Sequence, residues 1–297
     1  MLELSELVIE GFKKFGGEII GGILLTLALS ILPGLRKIFI HYADTPGTSV
    51  ANYRKAVIFV VLVIVAVFIF AWLWRVNHNE LGKKYYSAKN YEQASYHYRK
   101  AAELRDAEAQ NNLGNMYYNG YGVQQNYDEA MKLYRLSAEQ GNAEAQFNLG
   151  VMYYNGHGVQ QNYDEAVKLY RLSAEQGNAE AQNNLGVMYY NGYGVPKNYD
   201  EAVRLYRLSA QQGNAWAQNN LGDMYYNRYG VPQDYEEAVR LYRLSAEQGN
   251  TKAQFNLGFM YENGYGAPRN LQKARKYYQM AANQGHIRAK EALQRLR

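Results

Sequence analysis

Residues 107–142 read AEAQNNLGNMYYNGYGVQQNYDEAMKLYRLSAEQGN, and the same pattern returns four more times at a spacing of thirty-six residues. Leu113-Gly114, Leu149-Gly150, Leu185-Gly186, Leu221-Gly222 and Leu257-Gly258 fix the period. Ala130, Ala166, Ala202, Ala238 and Ala274 keep it, as do Gly141, Gly177, Gly213, Gly249 and Gly285. A fixed period of this length marks stacked copies of one supersecondary unit. The units are 107–142, 143–178, 179–214, 215–250 and 251–286.

Each unit reads as two helices. Helix A covers AEAQNNLGNMYY and ends at Asn119-Gly120, where glycine takes the left-handed conformation past a helix end. A loop of Tyr121 to Gln125 follows. Asn126, three residues before Glu129, reads as a capping box opening helix B. The pairing recurs as Asn162/Glu165, Asn198/Glu201 and Asp234/Glu237, whereas Asn270 faces Lys273. Helix B stops at Gly141, and Asn142 caps the next helix A. Ala109, Leu113 and Met116/Tyr117 form one apolar stripe, and Ala130, Leu133, Tyr134 and Ala138 another. Gly114 is expected to meet Ala130, so that two small residues let the backbones approach. No unit can bury its stripe alone, so stability comes from stacking.

Both ends carry imperfect copies, as capping units do. In residues 77–106 the interval from Leu81-Gly82 to Ala94 is four residues shorter than its counterparts. Residues 287–297 repeat the helix A stripe as Ala289, Leu293 and Leu296 without a helix B.

The pattern A-x-A-Q-x-x-L-G-x-x-Y, then G-x-G-V, the alanine of helix B and Y-x-x-S-A-x-x-G resembles the Sel-one-like repeat. That repeat is a longer-looped relative of the tetratricopeptide repeat. The resemblance implies an all-α, right-handed solenoid that binds proteins, with roles such as assembly of membrane complexes, envelope maintenance or signalling. Two departures stand out: Ser137 and its equivalents occupy an alanine place, and Arg228 replaces the first loop glycine in the fourth copy. The second is expected to distort its loop.

Ahead of the repeats, Ala56 to Trp74 reads AVIFVVLVIVAVFIFAWLW, nineteen residues without a charge. At about 1.5 Å per residue such a helix crosses a bilayer. Arg54, Lys55, Trp72, Trp74 and Arg75 flank it as interfacial anchors. Residues 19–35, IIGGILLTLALSILPGL, read as a second span or a signal-like or re-entrant segment, between an N-terminal flank 1–18 and a connector 36–55. Gly17 and Gly21 have the spacing that lets two helices approach, and nothing further points to a homo-oligomer. Lys13, Lys14, Arg75, Lys83, Lys84 and Lys89 on the terminal side oppose Arg36, Lys37, Arg54 and Lys55 in the connector. The connector's charges abut the hydrocarbon, which favours a cytoplasmic connector and an extracytoplasmic repeat domain. The expected location is a membrane, the bacterial inner membrane for a chain of this resemblance.

Composition removes several chemistries. There is no cysteine, which excludes disulfides, thiolate zinc and thiol nucleophiles. The histidines at 41, 78, 97, 157 and 286 lack metal-ligand spacing. The G-x-G-V glycines follow no strand, so they serve turns rather than a phosphate. Asp128-Glu129 and its equivalents are explained by the helix dipole. Neither a catalytic site, a metal nor a cofactor is expected. A net charge of +5 and the lack of a basic groove argue against nucleic acid, although the chain holds 30 Tyr. Charge does gather from Arg269 to Arg297, where Arg288, Lys290, Arg295 and Arg297 suggest contact with an acidic partner or the lipid bilayer.

The candidate partner site comprises the helix A positions outside the core stripe. The series runs Asn111, Asn115, Tyr118; Phe147, Val151, Tyr154; Asn183, Val187, Tyr190; Asn219, Asp223, Tyr226; Phe255, Phe259. In solenoids of this kind the A helices line the inner curve. Core positions barely change between copies while these switch among Asn, Phe, Val and Asp, which is how a repeat surface becomes specific. Tyr and Asn suit a protein or peptide partner, offering apolar area with polar tips and paired donors and acceptors. The expected function is a membrane-anchored adaptor. The alternative is a non-catalytic subunit of a larger membrane complex assembled through its spans.

Overall fold

The computed structural model describes Trp74 and residues 76–296. The chain divides between Glu80 and Leu81 into two units, and the second holds the repeats. Its first helix, α1, ends at residue 87. There follow α2 (Tyr91–Glu103), α3 (Ala107–Asn119), α4 (Tyr127–Glu139), α5 (Ala143–Asn155), α6 (Tyr163–Glu175) and α7 (Ala179–Asn191). The series ends with α8 (Tyr199–Gln211), α9 (Ala215–Asn227), α10 (Tyr235–Glu247), α11 (Thr251–Asn263), α12 (Leu271–Asn283) and α13 (Ile287–Arg295). Each helix packs mainly on the ones before and after it in sequence. The unit is therefore an all-α solenoid of helix–turn–helix repeats, without strands among the described residues. The apolar segments 19–35 and 56–74 lie outside the described residues apart from Trp74. Among the described residues no helix is long and apolar enough to cross a membrane.

The helix boundaries follow the side chains that can satisfy free amides. Asn142 Oδ1 accepts from the Ala145 amide at 2.9 Å, and Asn178, Asn214 and Asn250 do the same for α7, α9 and α11. Gly120 closes α3 at φ 75° and returns its N–H to Met116. Each B helix is capped by one half of a capping box only. Asn162 Oδ1 takes the Glu165 amide at 3.0 Å, but its own N–H goes to the Tyr153 carbonyl at 2.9 Å. The amides of Asn126, Asn198, Asp234 and Asn270 likewise go to carbonyls of the preceding helix. The expected reciprocal bond from Glu is thus absent in all four copies that carry the glutamate, and Lys273 loses nothing by replacing it in the fifth. The freed glutamates pair instead with a cation three residues on, as Glu165 does with Lys168.

Ala109, Leu113 and Met116 of α3 are buried with Ala130, Leu133 and Tyr134 of α4, and this core repeats along the solenoid. Burying a leucine or methionine side chain is worth about 1.5–3 kcal/mol, so a stack of such stripes stabilises what a single hairpin could not. The close helix approach is made differently from expectation. A Cβ on Gly114 would stand 2.7 Å from the Tyr134 ring rather than against Ala130. Tyr170, Tyr206, Tyr242 and Tyr278 lie in the same way over Gly150, Gly186, Gly222 and Gly258. The helix A glycine is a slot for an aromatic ring.

Loop glycines have a second duty beyond turning. A Cβ on Gly194 would stand 2.6 Å from the Tyr163 carbonyl of the preceding repeat, so the loop docks backbone to backbone. Arg228 does not distort its loop. It takes φ 63° and ψ 38° and returns its N–H to Met224, in the manner of Gly120 and Gly192. The left-handed conformation is imposed by the repeat and carried by an L-residue at a cost of about 1–2 kcal/mol.

Candidate partner-binding surface

The structure splits the predicted series into two groups. Asn111, Asn183 and Asn219 are buried, not free. Asn148 of the next repeat donates to Asn111 Oδ1 at 2.9 Å, and Asn220 and Asn256 repeat the bond to Asn183 and Asn219 at 3.0 and 3.1 Å. Asn111 in turn donates to Glu144 at 3.1 Å. A buried amide must have partners, and these find them across the repeat joint. Where Phe147 replaces the first asparagine, Asn184 of the next repeat accepts instead from its neighbour Asn183 at 3.2 Å. The choice between Asn and Phe at this position therefore records how each joint is closed. Phe147 and Phe255 are partly buried against Tyr170 and Tyr278, at 5.8 and 5.6 Å between ring centroids.

The second predicted position reaches the same buried tyrosines. Tyr134 donates to Asn115 Oδ1 and Tyr242 to Asp223 Oδ1, both at 2.7 Å. Asn219 and Asn256 also donate to Asp223, at 3.2 and 3.1 Å. Burial pushes the Asp223 carboxyl up to about 6 against these bonds, which work to lower it. Tyr242 is pushed well above the ordinary phenol range by burial and by that carboxylate. At the equivalent positions Val151, Val187 and Phe259 are half-buried and join the neighbouring cores.

The third position stays accessible. Tyr118, Tyr154, Tyr190 and Tyr226 are half-buried, and each leans on the first residue of its own helix B at 5.3–5.5 Å. Their hydroxyls are raised by burial first and by neighbouring tyrosines second. A companion series was not anticipated. Tyr121, Tyr193, Tyr229 and Tyr265 stack face to face on Tyr91, Tyr163, Tyr199 and Tyr235 of the preceding repeat, with centroids 4.8–5.1 Å apart. His157 fills the place of tyrosine on Tyr127 and binds the Tyr118 hydroxyl through Nδ1 at 2.8 Å. Tyr121, Tyr193 and Tyr265 remain about 40 % exposed. Together the two series make an aromatic ribbon across successive repeats. Its only sequence signal was the recurrence of tyrosine in the loop, which says nothing of what the ring faces.

Other placements follow. Ser137, Ser173, Ser209 and Ser245, at the alanine place, are buried and donate to the first carbonyl of helix A at 2.6 Å. Leu136, Leu172, Leu208 and Leu244 form an exposed row on the B helices. Of the basic residues, Arg288 and Lys290 are exposed, while Arg295 is held by Glu262 at 2.7 Å and is not a free contact. Arg297 lies outside the described residues. Among the described residues no group of His, Asp and Glu side chains could hold a metal ion.

Comparison with known proteins agrees with this geometry. The Sel1 repeat model matches residues 79–106, 107–142, 143–178, 179–214, 217–250 and 251–286. The first match falls on the shortened N-terminal cap, which is thus a sixth repeat. None of the curated proteins searched matches the chain. A Sel1 repeat protein from Oxalobacter formigenes is 38 % identical with a TM-score of 0.68, over 73 % of this chain and 86 % of that one. The protective antigen c5321 of uropathogenic Escherichia coli, which displays an SLR fold, is 34 % identical with a TM-score of 0.67, over 88 % of this chain and 56 % of that one. The Pseudomonas aeruginosa protein pilF, at 19 % identity and a TM-score of 0.56, shares the fold. Proteins built of these repeats generally act in protein–protein interaction. By its repeats, its buried glycine–tyrosine slots and these likenesses, the chain belongs to the Sel1 repeat family.

Proposed function

We propose that this chain is a membrane-anchored, non-catalytic adaptor that captures a protein partner on the A-helix side of its solenoid. The observation that carries the reading is the half-exposed row of Tyr118, Tyr154, Tyr190 and Tyr226, set beside the exposed loop tyrosines over a rigid repeated core. Tyrosine gives large contact area with little side-chain freedom to lose, and its hydroxyl satisfies a partner's backbone. Val151, Val187 and Phe259 vary the relief between those rings. The uncharged segment 56–74, with 19–35 before it, supports the anchor. The charges around those segments favour a repeat domain outside the cytoplasm, in a bacterial inner membrane.

Photo-crosslinking with benzoylphenylalanine separates this from a complex assembled through the spans. Replacing Tyr154 or Tyr190 should give partner adducts. Adducts found only from positions within 19–74 would overturn the adaptor reading in favour of the assembled subunit.

A further inference from the structure

The last repeat departs from the four before it in the charges of its helix B. In α4, α6, α8 and α10 a first-turn glutamate neutralises the cation three residues on. Lys168 meets Glu165 at 3.0 Å, Arg204 meets Glu201 and Arg240 meets Glu237 at 2.6 Å, and Lys132 meets Glu129 at 3.9 Å. In α12 the cation is kept as Lys276, but Lys273 stands where the glutamate would be. Arg275 occupies the place of Val167, Val203 and Val239, all three of them buried.

Between α12 and α13 lies an open cleft whose walls include Arg275, Lys276, Lys290, Gln272, Gln279 and Asn283. No carboxylate lines it. Among the described residues none of the three cations forms a salt bridge. Arg275 donates to the Leu296 carbonyl, and Lys276 sits over the Tyr277 ring at 5.8 Å. The nearby acid Glu262 is occupied by Arg295 and Tyr278.

We propose that this cleft binds a carboxylate-rich peptide segment of a protein partner. The inference rests on the protein-partner reading above and adds the chemistry of the ligand. Cations with no internal carboxylate lose no ion pair when a ligand carboxylate arrives, and charge-assisted hydrogen bonds are the stronger kind. Side-chain amides offer the donors and acceptors that match a peptide backbone. A lipid surface would be met by apolar side chains around the cations. Here the apolar lining is limited to Ala282 and Leu293, and four amide side chains, Gln272, Gln279, Asn283 and Gln294, accompany the cations.

The test uses the full chain in a nonionic detergent and follows fluorescein-labelled decaglutamate by anisotropy. Binding should weaken as salt rises and should be at least tenfold weaker for the Lys276→Gln/Lys290→Gln double variant. Lys132→Gln/Lys168→Gln removes the same charge from neutralised sites and should leave binding unchanged. Equal weakening by both variants would overturn the proposal, since the peptide would then be reading net charge. Equal binding of decaglutamine would overturn it too, as would displacement by short-chain phosphatidylglycerol at lower concentration than by unlabelled decaglutamate. Failure of the adaptor reading has a different signature, crosslinks confined to 19–74, which the peptide titration does not depend on.

Discussion

The hydroxyl of Tyr242 donates to Asp223 Oδ1 at 2.7 Å, so a B-helix core tyrosine is tied to a carboxylate that sequence reading placed on an open surface. Asn115 receives Tyr134 in the same way at the same distance. The two sites differ by one ionisable group, and the repeat therefore contains its own control.

That difference makes stability depend on pH. The folded-state Asp223 carboxyl is raised to about 6 from its ordinary 3.8. Between those values the folded chain holds more proton than the unfolded chain, so stability falls as pH rises from about 4 through about 6. Asp223→Asn should remove this slope and raise stability at pH 8 by on the order of 1–2 kcal/mol. Melting curves from pH 4 to pH 8 check it. A variant with the parent's slope would sink the assignment.

Gly186→Ala should destabilise by about 1–3 kcal/mol through overpacking. The added Cβ would stand 2.7 Å from the Tyr206 ring. Combining it with Tyr206→Ala should cost less than the sum of the single changes, because the contact is then gone. Strict additivity in urea unfolding would show that the ring is not what the glycine accommodates.

Asn219→Ala should lower stability by about 1 kcal/mol, the net worth of a hydrogen bond lost across a repeat joint while Asn256 keeps Asp223 as its other acceptor. The affected donor is Asn256, which lies 3.1 Å from Asn219 Oδ1. Because Asn219 is buried, loss of partner capture by this variant must be judged at temperatures where it is folded. An unchanged melting temperature would contradict the joint described above.

Arg228→Gly should stabilise by about 1 kcal/mol, since glycine occupies the left-handed region freely. The residue sits at φ 63° in a cap that Gly120, Gly156, Gly192 and Gly264 form in the other copies. Equilibrium denaturation measures the gain. A loss would mean that the arginine side chain contributes more than the backbone strain costs.

Although the shortened first unit read only as a cap, the thirty-six-residue period, the helix pairs and their N-caps were legible because they depend on small residues and local amide satisfaction. These are properties of a single segment. The core stripe was legible for the same reason, since Ala109, Leu113 and Met116 fall on one face whatever lies opposite. The candidate site was legible only in part. Tyr118 and its equivalents stay accessible, whereas Asn111, Asn183 and Asn219 are buried by a partner thirty-seven residues away.

The sequence by itself determined that this chain is a stack of two-helix units, because a repeated apolar face can be covered only by its own neighbours. Only the tertiary structure decided which polar residues those neighbours cover. It sent Tyr134 into Gly114 rather than Gly114 onto Ala130, drew the buried asparagines into bonds across the repeat joints, and held Arg295 against Glu262. Each of those outcomes depends on side chains from different helices meeting at hydrogen-bond or van der Waals range. Spacing along one chain does not encode which of them will meet.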